Sequence, residues 1–177
     1  TYRWNGQGYE TRRIDALGRV FGKTVDYAKN LLLAETDPLG RVTRYTYDQK
    51  NRVTRIDRPT VSAYDLTGVA YGKAARYDLY YYDEADRRIA HTNSLGYTER
   101  TYYDDIGRVK KTVSYGGLTT SYRYIYDAAS GGSTLITTQG DGKTLTDTKD
   151  YFGRLLTHKD LGGRTYNYLY NEAGWLV

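Results

Sequence analysis

The sequence predicts an all-β fold made of repetitive antiparallel β-hairpins. Three observations predict it: an Asp-x-x-Gly turn motif recurs, tyrosines alternate with other residues at period two, and no window shows a helical period. Tyr is 22 of the 177 residues while Phe is 2, and Gly is 19 while Pro is 2. Tyrosine favours strands, where we expect its ring to cover a half-buried surface and its hydroxyl to stay in water.

Nine hairpin turns are predicted from an Asp or Asn followed three residues later by Gly, Asn or Asp. The opening residues are Asp15, Asp37, Asp48, Asp83, Asn93, Asp104, Asp150, Asp160 and Asn171. The third residues after them are Gly18, Gly40, Asn51, Asp86, Gly96, Gly107, Gly153, Gly163 and Gly174. An opening Asp or Asn accepts a hydrogen bond from the backbone two residues on, and Gly, Asn and Asp enter the left-handed region at low cost. A type I turn followed by one left-handed residue is a common hairpin loop with a bulge.

The residue after each motif is usually arginine. It is Arg19, Arg41, Arg52, Arg87, Arg108, Arg154 and Arg164, with Tyr97 and Trp175 in the other two places. A long, flat side chain at a fixed position predicts a contact with a neighbouring turn or strand.

The segments between the turns have the length and pattern of strands. Neighbouring motifs mostly begin ten or eleven residues apart, which leaves about six or seven residues for each strand. The alternation places Tyr122, Tyr124 and Tyr126 on one face opposite Arg123 and Ile125, and it places Tyr166, Tyr168 and Tyr170 on one face. We predict a strand in Asp26–Asp37, a weaker motif at Asp26, and a tenth motif at Asp127 in which glycine comes late.

We predict one domain over residues 1–177. Two irregular segments interrupt the repeat, at about 57–78 and 129–143, and neither has the Ser, Gly or Pro density of a linker. The chain begins at Thr1 and contains no Met, so we expect a piece of a longer protein or a processed product.

Composition excludes several classes of protein and site. The mean hydropathy is −0.75 and no run of about 18 apolar residues exists, so no membrane span is predicted. Cys is 0, which excludes disulfides, thiolate metal sites and a cysteine nucleophile. The net charge of +5 is spread without a block of five like charges, which favours a solvated surface over a nucleic-acid site.

The repeated motif resembles the YD-repeat or Rhs-repeat family. Three stretches carry the resemblance most clearly: Tyr103–Val109 (YDDIGRV), Tyr47–Val53 (YDQKNRV) and Thr36–Val42 (TDPLGRV). The resemblance extends from about Arg12 to Trp175 and implies a curved sheet that spirals into a hollow shell. Bacterial Rhs and toxin-complex shell proteins enclose a toxic C-terminal polypeptide, and teneurins use a similar shell at animal cell surfaces.

The resemblance implies a structural function. The chain is expected to be a wall segment of a β-shell that encapsulates a C-terminal toxin or effector in a larger, polymorphic-toxin-like protein, secreted or at a cell surface. Its partners would be neighbouring repeats and that cargo, with no nucleic acid. The alternative is an extracellular adhesion or glycan-binding module, in which exposed tyrosines, Trp4 and Trp175 bind a sugar or receptor.

No catalytic, cofactor-binding or metal-binding residue is predicted. The abundant aspartates recur at the first turn position, where a structural role explains them. His91 and His158 each lie eight residues after a turn opener, Asp83 and Asp150, so a repeated structural position explains them too. The stretch Gly140–Lys143 (GDGK) is too short for a phosphate loop and does not open a helix, and the stretch Gln139–Asp147 (QGDGKTLTD) lacks the ligand series of a calcium site.

A segment of such a sheet has two strand edges. Unpaired edges present free backbone groups to other chains. We therefore expect this chain to dimerise or to pack edge to edge.

Overall fold

The computed structural model describes residues 1–64 and 66–177, without the side chain of Tyr71, and its regular secondary structure within these residues is entirely β-strand. The chain divides into two compact units, Thr1–Thr98 and Glu99–Val177. The first unit contains β1 (Tyr2–Trp4), β2 (Glu10–Ile14), β3 (Val20–Asp26), β4 (Leu31–Thr36), β5 (Val42–Tyr47), β6 (Val53–Tyr64), β7 (Ala70–Tyr82) and β8 (Arg88–Asn93). Strand β9 (Thr98–Tyr103) begins at the last residue of that unit, and the second unit continues with β10 (Val109–Val113), β11 (Thr119–Tyr126), β12 (Ser133–Gln139), β13 (Thr144–Lys149), β14 (Leu155–Lys159) and β15 (Thr165–Asn167).

Sequential antiparallel pairing builds each unit. Strands β1 to β8 pair in chain order, and so do β9 to β15. Tyr122 lies opposite Thr137 while Arg123 lies opposite Ile136, which confirms the predicted faces of β11. The predicted all-β fold of repeated antiparallel hairpins is confirmed; the single domain and the curvature stay predictions.

Neither unit contains a conventional hydrophobic core. Among the described residues Ala90, at 6% exposure, is the only buried hydrophobic residue, Gly132 is also buried, and the strands otherwise carry half-buried and exposed side chains. Backbone ladders and side-chain contacts between adjacent strands therefore hold each unit together.

All nine predicted turns are present. The nine predicted left-handed residues have φ between 63° and 86°. In the first of these turns, the Gly18 N–H donates to the Asp15 carbonyl (3.1 Å), and the Leu17 and Arg19 N–H groups donate to Asp15 Oδ1 (2.9 and 3.0 Å). The opening side chain thus satisfies two backbone donors of the loop, as the residue types predict.

Among the described residues, three further turns of this hydrogen-bonded form were not predicted. They are Asn5–Tyr9, Ser114–Leu118 and Gln139–Lys143, and their left-handed residues are Gly8, Gly117 and Gly142. In each turn, the glycine three residues after the opener marks the left-handed position. In two of the three turns the opener is Ser or Gln instead of Asp or Asn. The GDGK stretch therefore lies in a hairpin turn.

Several segments differ in detail from the predicted pattern. The strand prediction for Asp26–Asp37 was wrong at its start, because residues 27–30 form a turn ending at left-handed Asn30 (φ 54°) and β4 begins at Leu31. Strand β15 ends at Asn167, so Tyr168 and Tyr170 lie outside it.

The two segments predicted to be irregular also have a defined structure. Of residues 57–78, Asp65 lies outside the described residues; most of the others lie in the long hairpin of β6 and β7, where Arg58 pairs with Arg76 and Tyr64 with Ala70. Within residues 129–143, a widened turn closes by a bond from the Asp127 N–H to the Gly132 carbonyl (2.9 Å), and β12 follows it.

Alternate turns lie at the same end of the strands, because each antiparallel strand reverses the chain. In each unit, we call one end of the strands the clasp end. In the first unit it carries the turns opened by Asn5, Asp26, Asp48 and Asp83, and in the second unit those opened by Asp104, Asp127, Asp150 and Asn171. The register places Tyr45, Tyr80 and His91 on one face of the first unit.

Candidate functional site

Six turn aspartates bind the arginine that follows their own turn. While Oδ1 accepts backbone N–H groups, Oδ2 accepts the arginine side chain at 2.6–2.8 Å. The pairs are Asp15–Arg19, Asp37–Arg41, Asp48–Arg52, Asp83–Arg87, Asp104–Arg108 and Asp150–Arg154. For Arg164 the described residues show only the bond from its N–H to Asp160 Oδ1 (2.9 Å). Because the backbone N–H of Arg52 and then its guanidinium donate to Asp48, the pKa of that carboxyl lies below its ordinary value.

Tyrosine hydroxyls join four hairpins to the preceding one at the clasp end. Tyr82 Oη donates to the Val53 carbonyl at 2.9 Å, and Val53 is the second residue after the left-handed Asn51. The same bond occurs from Tyr47 to Leu32 (2.7 Å), from Tyr124 to Val109 (3.0 Å) and from Tyr170 to Leu155 (3.0 Å). Each acceptor holds the same position after its own turn. We call this bond, with the ring contact described next, the clasp.

The turn arginine lies against the clasp tyrosine of the next hairpin. Its guanidinium carbon is 4.7 Å from the ring centroid for Arg52 and Tyr82, 4.3 Å for Arg108 and Tyr124, and 5.0 Å for Arg154 and Tyr170. One arginine thus closes its own turn and contacts the neighbouring strand, which confirms the predicted contact for these three residues. Such contacts contribute about 0.5–1 kcal/mol each where water is near.

A second set of contacts joins two turns directly. Lys50 Nζ donates to the Glu84 carbonyl (3.1 Å) and to Asp86 Oδ1 (2.9 Å), while Arg52 Nη1 donates to the Asp83 carbonyl (3.1 Å) and to Asp86 Oδ1 (2.6 Å). The turns opened by Asp48 and Asp83 are therefore connected at their tips as well as through the clasp.

The clasp corrects one expectation from the sequence. Tyrosine hydroxyls were expected to stay in water, but those of Tyr47, Tyr82, Tyr124 and Tyr170 donate to backbone carbonyls. The reason is geometric: each of these hydroxyls reaches a backbone carbonyl of the neighbouring strand.

The two histidines occupy similar cross-strand positions in separate units. His91 Nε2 is 2.9 Å from Asp78 Oδ1 on β7, and its ring stacks on Tyr80 at 4.7 Å between centroids. His158 Nδ1 is 2.6 Å from Asp147 Oδ1 on β13, with Tyr166 beside it. Arg58 also donates to Asp78 (2.8 Å). Both histidines thus face an aspartate across the strands, and their structural role stays a prediction.

A shallow cleft of about 340 Å³ lies on the first unit. Its lining includes Glu10, Arg13, Phe21, Lys23 and Glu35. The Arg13 guanidinium covers one face of the Phe21 ring at 4.4 Å. The lining is mixed in charge and favours no particular ligand.

No group of three or more His, Cys, Asp or Glu residues able to hold a metal ion occurs in residues 1–64 and 66–177. Within the same residues no helix is long and apolar enough to cross a membrane.

Three solved structures resemble the chain at low identity. They are TcdB2-TccC3-Cdc42 (12% identity, 97% of this chain and 13% of that chain, TM-score 0.32), TcdB2-TccC3 without its hypervariable C-terminal region (13%, 100% and 12%, TM-score 0.32), and the Tc holotoxin pore of Photorhabdus luminescens with a TccC3 mutation (9%, 96% and 13%, TM-score 0.29). The chain thus spans 12–13% of the length of these chains. At these TM-scores the likeness carries no weight by itself.

The sequence comparisons differ in outcome. No curated protein is detectably similar in sequence to the chain. The family model of the RHS repeat matches residues 26–60, a stretch that holds two clasp-end turns and the hydrogen bond from Tyr47 to Leu32. Residues 26–60 therefore resemble an RHS repeat, which confirms the predicted resemblance to the Rhs-repeat family.

Proposed function

We propose that this chain is a wall segment of a hollow β-shell that encloses a C-terminal toxin or effector polypeptide within a larger secreted or cell-surface protein. The observation that carries the proposal is the clasp. Four hairpins are attached to the preceding one by a tyrosine hydroxyl at one end of the strands, and three of these four attachments also include an arginine. This arrangement extends a sheet in its own plane without a core, which is what a wall requires.

The side-chain chemistry supports a structural role over catalysis. Six of the turn aspartates bind both backbone and arginine, so their oxygens are occupied within the turn. The RHS repeat at residues 26–60 supports neighbouring repeats as partners and, by family resemblance, a polypeptide cargo.

The experiment uses the longer protein that contains this repeat region. The protein is purified, treated with a nonspecific protease, and analysed by mass spectrometry before and after the shell is denatured. The proposal predicts that a C-terminal polypeptide co-purifies with the repeats and resists digestion until denaturation. Immediate cleavage of the C-terminal part would contradict enclosure and leave adhesion, which a glycan array with this chain would then test.

A further inference from the structure

Two arginines lie directly opposite each other on neighbouring strands of the first unit. Arg58 on β6 and Arg76 on β7 are partners in the register, so their side chains leave the same face of the sheet at adjacent positions. Like charges in such a pair are destabilising. Arg58 is partly neutralised, because its Nε donates to Asp78 Oδ2 at 2.8 Å. Within the part of the chain that the structure describes, no acidic side chain binds Arg76.

A third arginine lies beside this pair. Arg41, which follows the turn between β4 and β5, lines a cleft of about 270 Å³ together with Arg58 and Arg76. The lining also includes Thr43 and Thr60, whose hydroxyl groups can donate hydrogen bonds. The cleft therefore brings together three cationic side chains and two hydroxyl groups from the turn, β5, β6 and β7.

The guanidinium groups around the cleft retain unused donors. Arg41 uses its Nε for Asp37 Oδ2 (2.6 Å), as Arg58 uses its Nε for Asp78, and the Nη groups of both arginines take part in none of the described hydrogen bonds. Asp37 also lines the cleft, but its Oδ1 already accepts the N–H groups of Leu39 and Arg41 (2.9 and 3.0 Å). Three arginines beside two aspartates leave one net positive charge there.

We propose that this cleft binds a sulfate or phosphate group, with Arg41, Arg58 and Arg76 as its principal contacts. Arginine presents a planar fork of N–H donors that matches the oxygens of such groups. Donors from three separate elements suit the four oxygens of a tetrahedral anion better than the two oxygens of a planar carboxylate. A bound anion also offsets the repulsion between Arg58 and Arg76.

The group is either a free anion or part of a small molecule. The cleft has room for about nine water molecules, which is enough for the anion and part of a sugar or similar molecule that carries it. All three arginines lie between β4 and β7, inside the first unit, so strands that extend the sheet at its outer edges leave the cleft unchanged. The site is independent of the proposed enclosure.

The test titrates the isotope-labelled whole chain at constant ionic strength and follows the arginine Nε–H signals by NMR. The probes are sodium sulfate, sodium phosphate, a hexose sulfate ester and the matching hexose phosphate ester. We expect saturable shifts of the Arg41, Arg58 and Arg76 signals with dissociation constants in the millimolar range. Sodium succinate carries the same charge as sulfate on two planar carboxylates and should bind several-fold more weakly.

Arg76→Gln is the principal variant, since it removes one charge from the cleft and breaks no described contact. It should weaken sulfate binding about tenfold or more. Arg44→Gln is the matched control: Arg44 is exposed, belongs to the same unit and follows Thr43 on β5, so its side chain lies on the opposite face of the sheet. It should change the affinity by less than about twofold, because water and salt screen its charge.

The outcomes separate the two sources of the anion. Binding of the inorganic ions and of both esters identifies a carried group as a ligand, whereas binding of the inorganic ions alone identifies a free anion. Circular dichroism checks that both variants retain the β-fold. Shifts that do not saturate in the millimolar range, succinate that binds as tightly as sulfate, or equal losses of affinity in Arg76→Gln and Arg44→Gln would overturn the proposal.

Discussion

The clasp hydroxyl of Tyr82 offers the sharpest test of how the sheet is held together. Its Oη donates to the half-buried Val53 carbonyl at 2.9 Å while its ring stays 4.7 Å from the Arg52 guanidinium. Tyr82→Phe removes the hydrogen bond and leaves the ring, so it isolates one component of the clasp. Removing one such bond costs about 1 kcal/mol.

Native-state hydrogen exchange measures this loss locally. A change of about 1 kcal/mol raises the local opening constant about fivefold, and repeats respond mainly through their nearest neighbours. We expect faster exchange for amides of β6 and β7 and little change in the second unit. Tyr82→Ala also removes the contact with Arg52 and should add about 0.5–1 kcal/mol.

Tyr81→Phe is the matched control for this prediction. Tyr81 is the preceding residue on the opposite face, 46% exposed, and it takes no part in a clasp. The reasoning is refuted if Tyr82→Phe changes exchange no more than Tyr81→Phe does, because the hydroxyl would then add nothing to the attachment between hairpins.

Two further predictions concern the turns. Gly107→Ala places a side chain at φ 86° and should destabilise the second unit by about 1–2 kcal/mol in urea unfolding. Gly6→Ala is the control, since Gly6 has an ordinary φ and no atom within 4 Å of an added Cβ, and it should be neutral or slightly stabilising. Equal effects of the two substitutions would contradict the requirement for a left-handed residue at position 107. The lowered pKa of Asp48 means that the unfolded chain binds more protons in acid than the folded chain does. The contribution of Asp48 to the free energy of unfolding is therefore present above the ordinary pKa of aspartate and is lost as the pH falls below about 4. Asp48→Asn keeps a side-chain oxygen that can accept from the backbone N–H groups of the turn, as Asn93 Oδ1 does in its own turn. The variant should therefore show a weaker acid dependence of the urea midpoint. Parallel pH curves for the variant and the unmodified protein would oppose this assignment.

The turns were the most predictable part of the molecule, for a local reason. A left-handed residue such as Asn51 or Gly107 is specified by its own type and by the opener three residues before it. The turn at Ser114–Leu118 escaped prediction because serine opens it, although Gly117 holds the left-handed position.

The clasp was less predictable because it joins residues far apart in the sequence. Tyr82 and Val53 are 29 residues apart, and their contact depends on which end of the sheet each turn reaches. It also depends on the register shift before Tyr82, which no local pattern reveals. The arginine contact was predicted only in general terms, since the sequence shows a long, flat side chain at a fixed position but not the tyrosine ring that it contacts.

The most direct test of the account joins the clasp to enclosure. In the longer protein, Arg52→Ala combined with Tyr82→Ala removes one clasp from the wall, and Tyr81→Ala removes a tyrosine from the opposite face without touching a clasp. The rate at which a nonspecific protease cuts the C-terminal polypeptide is then measured for all three proteins. We predict slow cleavage in the unmodified protein and in Tyr81→Ala, and faster cleavage in the clasp variant. Equal rates in all three proteins would contradict a wall held closed by its clasps.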